Sequence, residues 1–380
     1  MDIVTLADLA SPAACPRLVV KVGSALLVGE RGARRGWLAA LVGEIAAARA
    51  RGQQVIVVSS GAIALGARRL GLDKGGRGSL ADAQAAAAVG QIALSGLWAE
   101  LLGDERLIAA QLLLTLDDLE DRRRYLNVTA TLARLLDAGA VPVINENDSV
   151  ATQEIRFGDN DRLAARVAQA ARASAILLLS DVDGLYDRHP AQPGARLLPR
   201  VAGVTAEIRA MASGDSGSGM GSGGMRSKLD AAAIAERAGI ALAIGNGHAE
   251  RPIARVTGEG GSEAVGTLFV PRRRAAARKA WLGGRLRLRG TLVVDAGAAA
   301  ALARGSSLLA AGITGVEGDF RRGDAVAIRS AEGVVLAHGL SEYDADECRS
   351  LQGRQSGEQA ALLGYAPRRA VVHRDQLVVL

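Results

Sequence analysis

The sequence has few of the residues that build disulfide frameworks, zinc sites and base-stacking surfaces. Its 380 residues include two cysteines, four histidines and only 3% aromatic side chains. Cys15 and Cys348 lie far apart in the chain and the histidines are scattered singly, so neither a disulfide framework nor a zinc site is expected. The low aromatic content also leaves few platforms on which nucleic-acid bases can stack.

Long apolar runs and a recognisable targeting segment are missing as well. The sequence has no stretch of about 18 uninterrupted apolar residues, which argues against a membrane span. Residues 1–17 carry acidic side chains where a signal peptide has basic ones, and they contain no usable apolar core. With 49% apolar and 23% charged residues the chain is typical of a globular protein, and we expect it in the cytoplasm.

Charge is distributed unevenly along the chain. Residues 271–380 hold 17 basic and 11 acidic side chains, so the whole net charge of +6 comes from this part. The segment 271–290 has eight basic residues and no acidic one, which suits either a polyanion such as nucleic acid or a solvated linker. Because 380 residues exceed the usual size of one core, we predict two domains. The predicted parts are residues 1–272, a basic linker at 273–284, and residues 285–380.

Short apolar runs alternate with helical patterns over the first 270 residues. The apolar runs are typical of buried parallel strands, and the Ala- and Leu-rich stretches between them predict helices. The predicted strands are 17–22, 54–59, 106–114, 140–145, 174–180 and 241–245. The predicted helices are 37–50, 61–70, 79–102, 125–138, 161–172 and 226–238. This order predicts an α/β fold with a doubly wound, mainly parallel sheet, in which ligands bind beyond the carboxyl ends of the strands.

The pattern changes after residue 285. Short β-rich segments there alternate with Gly-Asp turns such as the one at 321–324. They predict a small β-rich domain of barrel type, with short helices at 295–304 and 344–363.

Lysine is scarce, with four residues against 42 arginines, and two of the four lie in glycine-containing loops. Lys21 precedes Gly23 and Ser24 at the end of the first predicted strand, where free backbone N–H groups and a cation favour an anion. Lys228 follows the glycine-rich stretch 214–224 and lies in the first turn of the next predicted helix. The helix dipole disfavours a cation there, so we expect a bound anion such as phosphate to compensate it.

Three other loops that follow predicted strands carry polar side chains. Ser60 and Gly61 begin a helix, where they suit either a plain helix cap or a carboxylate site. The loops 145–148 and 157–161 carry amides and carboxylates that together suit the ammonium and carboxylate groups of an amino acid. Acidic residues after the fifth predicted strand, beginning at Asp181, suit a ribose or the metal of a nucleotide.

Taken in order, these motifs resemble the amino acid kinase family, in particular its members that phosphorylate glutamate. The motifs are VVKVGS, SSGAI, INENDSVAT, FGDND, LLLSDVDGLY and GSGMGSGGMRSK, and the resemblance continues through VGTLF. GSSLLAAGITGVEGDFRRGD and LGY resemble a PUA domain, so the likeness covers nearly the whole chain. Ser24, Ser180 and Ser222 stand where family members often have threonine, and each keeps the hydroxyl. The stretch NGHAERP departs from the family pattern at the rim of the nucleotide site.

The resemblance implies ATP-dependent phosphorylation of the γ-carboxylate of L-glutamate, the first step of proline biosynthesis. The implied catalytic residues are Lys21 and Lys228. The implied glutamate-binding residues are Ser60, Gly61, Asp148, Asp159, Asn160 and Asp161. The implied ATP-binding residues are Lys21, Gly23, Ser24, Ser180, Asp181, Ser222, Gly223, Gly224, Met225, Arg226, Ser227 and Lys228.

Cofactor and partners follow from the same resemblance. Mg²⁺ is expected with ATP, bridging its phosphates, and no protein side chain is assigned as its ligand. A homo-oligomer and feedback inhibition by L-proline are implied, and no membrane is.

Two alternatives remain open. A related kinase acting on aspartate, N-acetylglutamate or carbamate would share the fold and the glycine-loop chemistry. A protein of a different class, which binds or modifies RNA through its C-terminal domain, would use the basic segment. The low aromatic content and the neutral first 270 residues speak against RNA as the main ligand.

Overall fold

The computed structural model describes residues 2–29, 32–150, 160–212, 224–272, 288–368 and 370–380. The chain folds into two compact units. One unit comprises residues 1–120 and 128–274, and the other residues 121–127 and 275–380. The predicted linker at 273–284 lies outside the described residues.

The first unit is built on a sheet whose central strands are buried on both faces. Its strands are β1 (Arg17–Val22), β2 (Val28–Gly29), β3 (Gly32–Ala33), β4 (Gln54–Ser59), β5 (Ala109–Leu114), β6 (Val141–Glu146), β7 (Ala175–Ser180), β8 (Arg200–Ala202), β9 (Ala241–Asn246) and β10 (Thr267–Val270). Eight of them form one sheet in the order β5-β6-β4-β1-β7-β9-β10-β8, while β2 and β3 pair separately. All six predicted strands and the doubly wound, mainly parallel architecture are confirmed. Every residue of β6 and β7 is buried, because helices cover both faces.

The helices that alternate with these strands also follow the predicted order. They are α1 (Ser24–Leu27), α2 (Arg35–Ala50), α3 (Ala62–Leu70), α4 (Leu80–Asp104), α5 (Leu116–Glu120), α6 (Arg122–Asp137), α7 (Asn160–Ala171), α8 (Ala206–Met211), α9 (Gly224–Arg237) and α10 (Pro252–Thr257). The six predicted helices are among them, with ends shifted by a few residues.

The parallel register brings the ends of several strands together. Lys21 of β1 pairs with Val58 of β4 and with Leu178 of β7. The polar residues that end these strands, and those that end β6 beyond β4, therefore lie at one edge of the sheet.

Strand β10 is not predicted by the sequence analysis. It is only four residues long, and it runs antiparallel to β9 and parallel to β8. The buried hydroxyl of Thr267 fixes its place, since it accepts from the Leu185 backbone N–H at 2.8 Å and donates to the Leu198 carbonyl at 2.7 Å. A pairing that depends on two distant loops leaves no periodic signal in the sequence.

Helices α3 and α4 cross with their backbones touching. A Cβ on Gly66 would lie 1.7 Å from the Ala86 carbonyl oxygen, and one on Gly90 would lie 1.8 Å from the Ala62 carbonyl oxygen. In the described part of the chain, α4 is the helix that is long and apolar enough, by length and composition, to cross a membrane. Polar residues interrupt its apolar sequence, so it contains no run of about 18 apolar residues. In the fold it packs on α3 and buries Trp98 completely.

We expect Gly90→Ala to lower the free energy of unfolding by about 3 kcal/mol or more, because its methyl group would force the two helix backbones apart. Gly96→Ala, in the same helix, is the matched control, since a Cβ there meets no heavy atom within 4 Å. In that variant the free energy of unfolding should rise by about 0.5–1 kcal/mol, because alanine has a higher helix propensity than glycine. Chemical denaturation of both variants measures the difference, and equal midpoints would contradict the close crossing.

The second unit is β-rich, as predicted. Its strands are β11 (Gly290–Val294), β12 (Ile313–Gly318), β13 (Ala325–Ser330), β14 (Val335–Leu340) and β15 (Leu377–Val379), in the sheet order β12-β11-β13-β14-β15. Its helices are α11 (Ala296–Ala303), α12 (Ala345–Leu351) and α13 (Ser356–Leu363). The single helix predicted at 344–363 is wrong, because Gly353 takes a left-handed φ of 73° and Gln355 starts a new helix with its own capping box.

Candidate active site

Two lysines and one aspartate form a buried ion cluster at the carboxyl edge of the sheet. Lys21 Nζ lies 2.6 Å from Asp161 Oδ1, and Lys228 Nζ lies 3.1 Å from Asp161 Oδ2. The Lys21, Asp161 and Lys228 side chains are about 10%, 3% and 9% exposed. Strand β1 and helices α7 and α9, which are far apart in sequence, thus supply one group each.

The electrostatics of the cluster favour the ionised carboxylate. Burial alone would raise the pKa of Asp161, but the charges and hydrogen bonds of Lys21 and Lys228 outweigh it and hold the pKa below its ordinary value. The cluster therefore carries one net positive charge in a buried site. The anion that the sequence requires beside Lys228 is supplied in part by this carboxylate.

Asn160, which begins α7, ties the cluster to the next pair of strands. Its Nδ2 lies within hydrogen-bond distance of the Ser60 hydroxyl at 2.6 Å, the Ser59 carbonyl at 3.1 Å and Asn145 Oδ1 at 3.3 Å. The side-chain amide oxygen of Asn160, Oδ1, is buried and accepts no hydrogen bond from the described residues. A donor on a bound ligand would satisfy this oxygen, since buried acceptors are rarely left unpaired.

Two side chains of helix α4 form hydrogen bonds with the same network. Gln91 Oε1 accepts a hydrogen bond of 2.8 Å from Asn145, and the buried indole of Trp98 donates to the Ser59 hydroxyl at 3.0 Å. The close crossing of α3 and α4 therefore fixes the polar side chains as well as the helices.

A cleft opens beside this network. Its lining includes Ser24, Ser60, Gly61, Arg77, Asn145, Asp148 and Asn160. Gly61 has a left-handed φ of 101°, and a Cβ there would lie 3.3 Å from a methyl group of Val28, so glycine is required where α3 begins. Burial raises the pKa of Asp148 to about 6, although the charge of Arg77 acts in the opposite direction.

The expected nucleotide side lies on the other flank of β1. The Ser180 hydroxyl donates to Asp181 Oδ1 at 2.9 Å, and the Ser180 carbonyl accepts from the Gly247 N–H at 2.7 Å. A Cβ on Gly247 would lie 2.2 Å from Leu26 Cδ1, so the stretch that departs from the family pattern places a glycine where the Leu26 side chain packs against the chain. Trp37 donates to the Gly247 carbonyl at 2.8 Å and holds it there.

The remaining predicted ATP residues within the described ranges lie at the N-terminal ends of α1 and α9. Gly23 precedes α1, and the position of a Cβ on it is 3.9 Å from Lys21 Nζ. Gly224 begins α9, followed by Met225 and Ser227, which are partly exposed, and Arg226, which is exposed. The predictions for Asp159, Ser222 and Gly223 lie outside the described residues.

Several residues of the site have no individual role predicted from the sequence. Asn145 lies in the loop 145–148, which the sequence assigns to the amino acid as a whole, but it is not among the individual glutamate-binding residues that the resemblance implies. Gln91 and Trp98 lie in a helix that reads as plain core, and Arg77 lies in an irregular loop, so their sequence context carries no comparable signal.

Comparison with known proteins agrees with this architecture. Residues 16–246 match the model of the amino acid kinase family, and residues 290–362 match the PUA domain. The chain belongs to the amino acid kinase family.

Its relatives are similar over nearly their whole length. A protein from Novosphingobium aromaticivorans named glutamate 5-kinase is 71% identical over 381 residues, which cover 100% of both chains. A glutamate 5-kinase from Sphingopyxis alaskensis is 61% identical and covers 97% of this chain and 99% of its own. One from Zymomonas mobilis is 56% identical, with coverages of 97% and 92%.

Proposed function

We propose that the protein transfers the γ-phosphoryl group of ATP to the γ-carboxylate of L-glutamate, which gives L-glutamate 5-phosphate and ADP. The observation that carries the proposal is the buried Lys21–Asp161–Lys228 cluster, which adjoins an acceptor cleft through Asn160. The glutamate 5-kinases that align over the full length support the choice of acceptor. This reaction is the first step of proline biosynthesis.

The chemistry needs positioning and positive charge rather than a general base. An oxygen of the γ-carboxylate attacks the γ-phosphorus of ATP, and the bond from that phosphorus to the oxygen bridging to the β-phosphate breaks. A carboxylate is already ionised near neutral pH, so no proton has to be removed. Negative charge spreads over the moving phosphoryl group, and the two lysine ammonium groups stabilise it.

Asp161 positions the two lysines in this scheme. Both of its oxygens are engaged by ammonium groups, so we propose that it orients Lys21 and Lys228 instead of binding glutamate directly. Preorganised charges cost little reorganisation at the moment of transfer, which is the main source of rate enhancement at such sites.

Mg²⁺ fits this site as an ion held mainly by the phosphates of ATP. In the described part of the chain, acidic, histidine and cysteine side chains form no group of three or more that could hold a metal ion. Mg²⁺ usually keeps several waters and binds one or two carboxylates together with substrate phosphates. We propose Asp181 as such a carboxylate, because it is exposed at the end of β7 whereas Asp161 is occupied. When bound, the ion supplies further charge neutralisation at the phosphates.

The resemblance to the family supports two further proposals. They are a homo-oligomeric assembly and inhibition by L-proline, which shares the α-amino and carboxylate groups of glutamate.

Release of ADP by the purified protein tests the proposed function directly. We expect ADP to form from ATP and Mg²⁺ with L-glutamate, and not above background with aspartate, N-acetylglutamate or no acceptor. Hydroxylamine trapping of the acyl phosphate confirms that a carboxylate is the acceptor. Equal ADP release with and without glutamate would contradict the proposal, and a preference for another acceptor would identify a related kinase.

A further inference from the structure

The acceptor cleft has two unlike charges that the phosphoryl-transfer chemistry does not use. Among the described residues that line it, Arg77 carries the positive charge and Asp148 the negative one. They act on each other, since the charge of Arg77 lowers the pKa of Asp148 against the effect of burial. The lysines of the ion cluster are engaged by Asp161, and in the proposed reaction they stabilise the transferred phosphoryl group.

The loop that carries Arg77 has an unusual backbone conformation. Lys74, Gly75 and Gly76 all have left-handed φ angles, of 51°, 62° and 75°. Gly76 is buried against the helix pair, where a Cβ would lie 2.8 Å from the Ala67 Cβ. The loop therefore has a defined path onto α3 and α4, and it delivers Arg77 to the cleft.

The Arg77 side chain has no hydrogen-bond or ion-pair partner among the described residues. The side chain is exposed. Asp148, by contrast, is buried. The cleft is therefore lined by a guanidinium group, which can donate two parallel hydrogen bonds, and by a carboxylate, which is an anion.

We propose that Arg77 binds the α-carboxylate of the acceptor. Asp148 and the side-chain oxygen Oδ1 of Asn160 bind its α-ammonium group. This assigns a specificity residue that recognises the α-amino acid end of the acceptor. The inference rests on the proposed function, because the γ-carboxylate must point toward the lysine cluster for the opposite end to reach Arg77. A guanidinium fork matches a carboxylate in geometry and charge, which makes arginine the suitable residue.

Two acceptor analogues separate the two contacts. 4-Aminobutyrate is glutamate without the α-carboxylate, and glutarate is glutamate without the α-ammonium group. Each is assayed as an acceptor and as a competitor against glutamate, so an analogue that turns over slowly still gives an affinity. We expect Arg77→Gln to raise the KM for glutamate about 10- to 100-fold, with kcat and the KM for ATP nearly unchanged. The preference for glutamate over 4-aminobutyrate should shrink by the same factor, while the preference over glutarate persists.

Two further variants exclude a merely structural effect. Arg77→Lys should recover part of the glutamate affinity, because it keeps the charge but loses the fork. Arg69→Gln removes an exposed arginine from α3, outside the cleft lining, and should behave as wild type. An unchanged KM in Arg77→Gln, or an equal loss for glutamate and 4-aminobutyrate, would overturn the inference. Failure of the wild-type protein to phosphorylate glutamate would instead refute the proposed function.

Discussion

Asparagine in place of Asp161 should remove most of the catalytic activity and destabilise the fold at the same time. The carboxylate holds both lysine ammonium groups, at 2.6 and 3.1 Å, and its replacement leaves two buried cations that repel each other. Loss of one partner from a buried ion pair typically costs about 3–5 kcal/mol. Because both catalytic charges lose their position, kcat should fall by roughly 10³-fold or more.

Kinetics and denaturation together test this expectation. Lys228→Met should lower kcat by roughly 10²–10³-fold with a smaller loss of stability, since Asp161 keeps Lys21 as its partner. The double variant Asp161→Asn/Lys228→Met should be more stable than Asp161→Asn alone, because one unpaired cation is gone, yet it should stay inactive. A stable Asp161→Asn protein with wild-type kcat would show that the cluster neither orients the lysines nor supports the fold.

The pH dependence of stability provides a second check on the same group. The pKa of Asp161 is lower in the folded state than its ordinary value of 3.8, so the unfolded chain binds a proton more readily. Its contribution to stability is therefore complete above pH 3.8 and is lost as pH falls through the folded-state pKa. Acid unfolding of the wild-type protein should include this step, and the Asp161→Asn variant should lack it.

The parallel core of the fold could be predicted because burial on both faces leaves a strong signal. Strand β7 is an almost unbroken apolar run and β1 is interrupted mainly by Lys21, and the ends of β1 and β4 coincide with those predicted. The antiparallel β10 could not be predicted in this way, because its place depends on the hydroxyl of Thr267 between two loops. The break between α12 and α13 was missed because the left-handed turn at Gly353 lies inside an otherwise helical pattern.

The candidate site divides along a similar line. Residues at strand ends, such as Lys21 and Ser60, could be found because polar groups after buried strands stand out. The pairing of Asp161 with both lysines could not, since it depends on how α7 and α9 pack. Arg77 reaches the cleft through the path of one glycine-rich turn, and neither its residue type nor its spacing shows that path.

Asp148→Asn is expected to increase the stability of the protein and to weaken its binding of glutamate. Burial raises the pKa of this carboxyl to about 6, against its ordinary value of 3.8, so the folded state retains a proton that the unfolded chain has released. Stability therefore falls as pH rises from 3.8 to about 6, and the full cost is present above that range. The neutral asparagine avoids this loss in the free energy of unfolding, which is about 3 kcal/mol for a pKa shift of this size.

Thermal unfolding at two pH values measures this gain. The unfolding midpoint of Asp148→Asn should exceed that of the wild type by about 5 °C at about pH 7.5 and by little at about pH 4. Asp181→Asn is the control, because Asp181 is exposed and its replacement should show no such pH-dependent gain. A midpoint that rises equally at both pH values would mean that the charge of Asp148 is not the cause.

The same substitution should weaken glutamate binding, because Asp148 is the anion that we assign to the α-ammonium group. We expect the KM for glutamate to rise about 100-fold in Asp148→Asn, with little change in the KM for ATP. In the wild-type protein, kcat/KM for glutamate should fall about tenfold per pH unit below about 6, as the free protein takes up a proton at Asp148. That decline should disappear for glutarate, which has no ammonium group to lose its partner. A pH profile that is identical for the two acceptors would place the ammonium group away from Asp148.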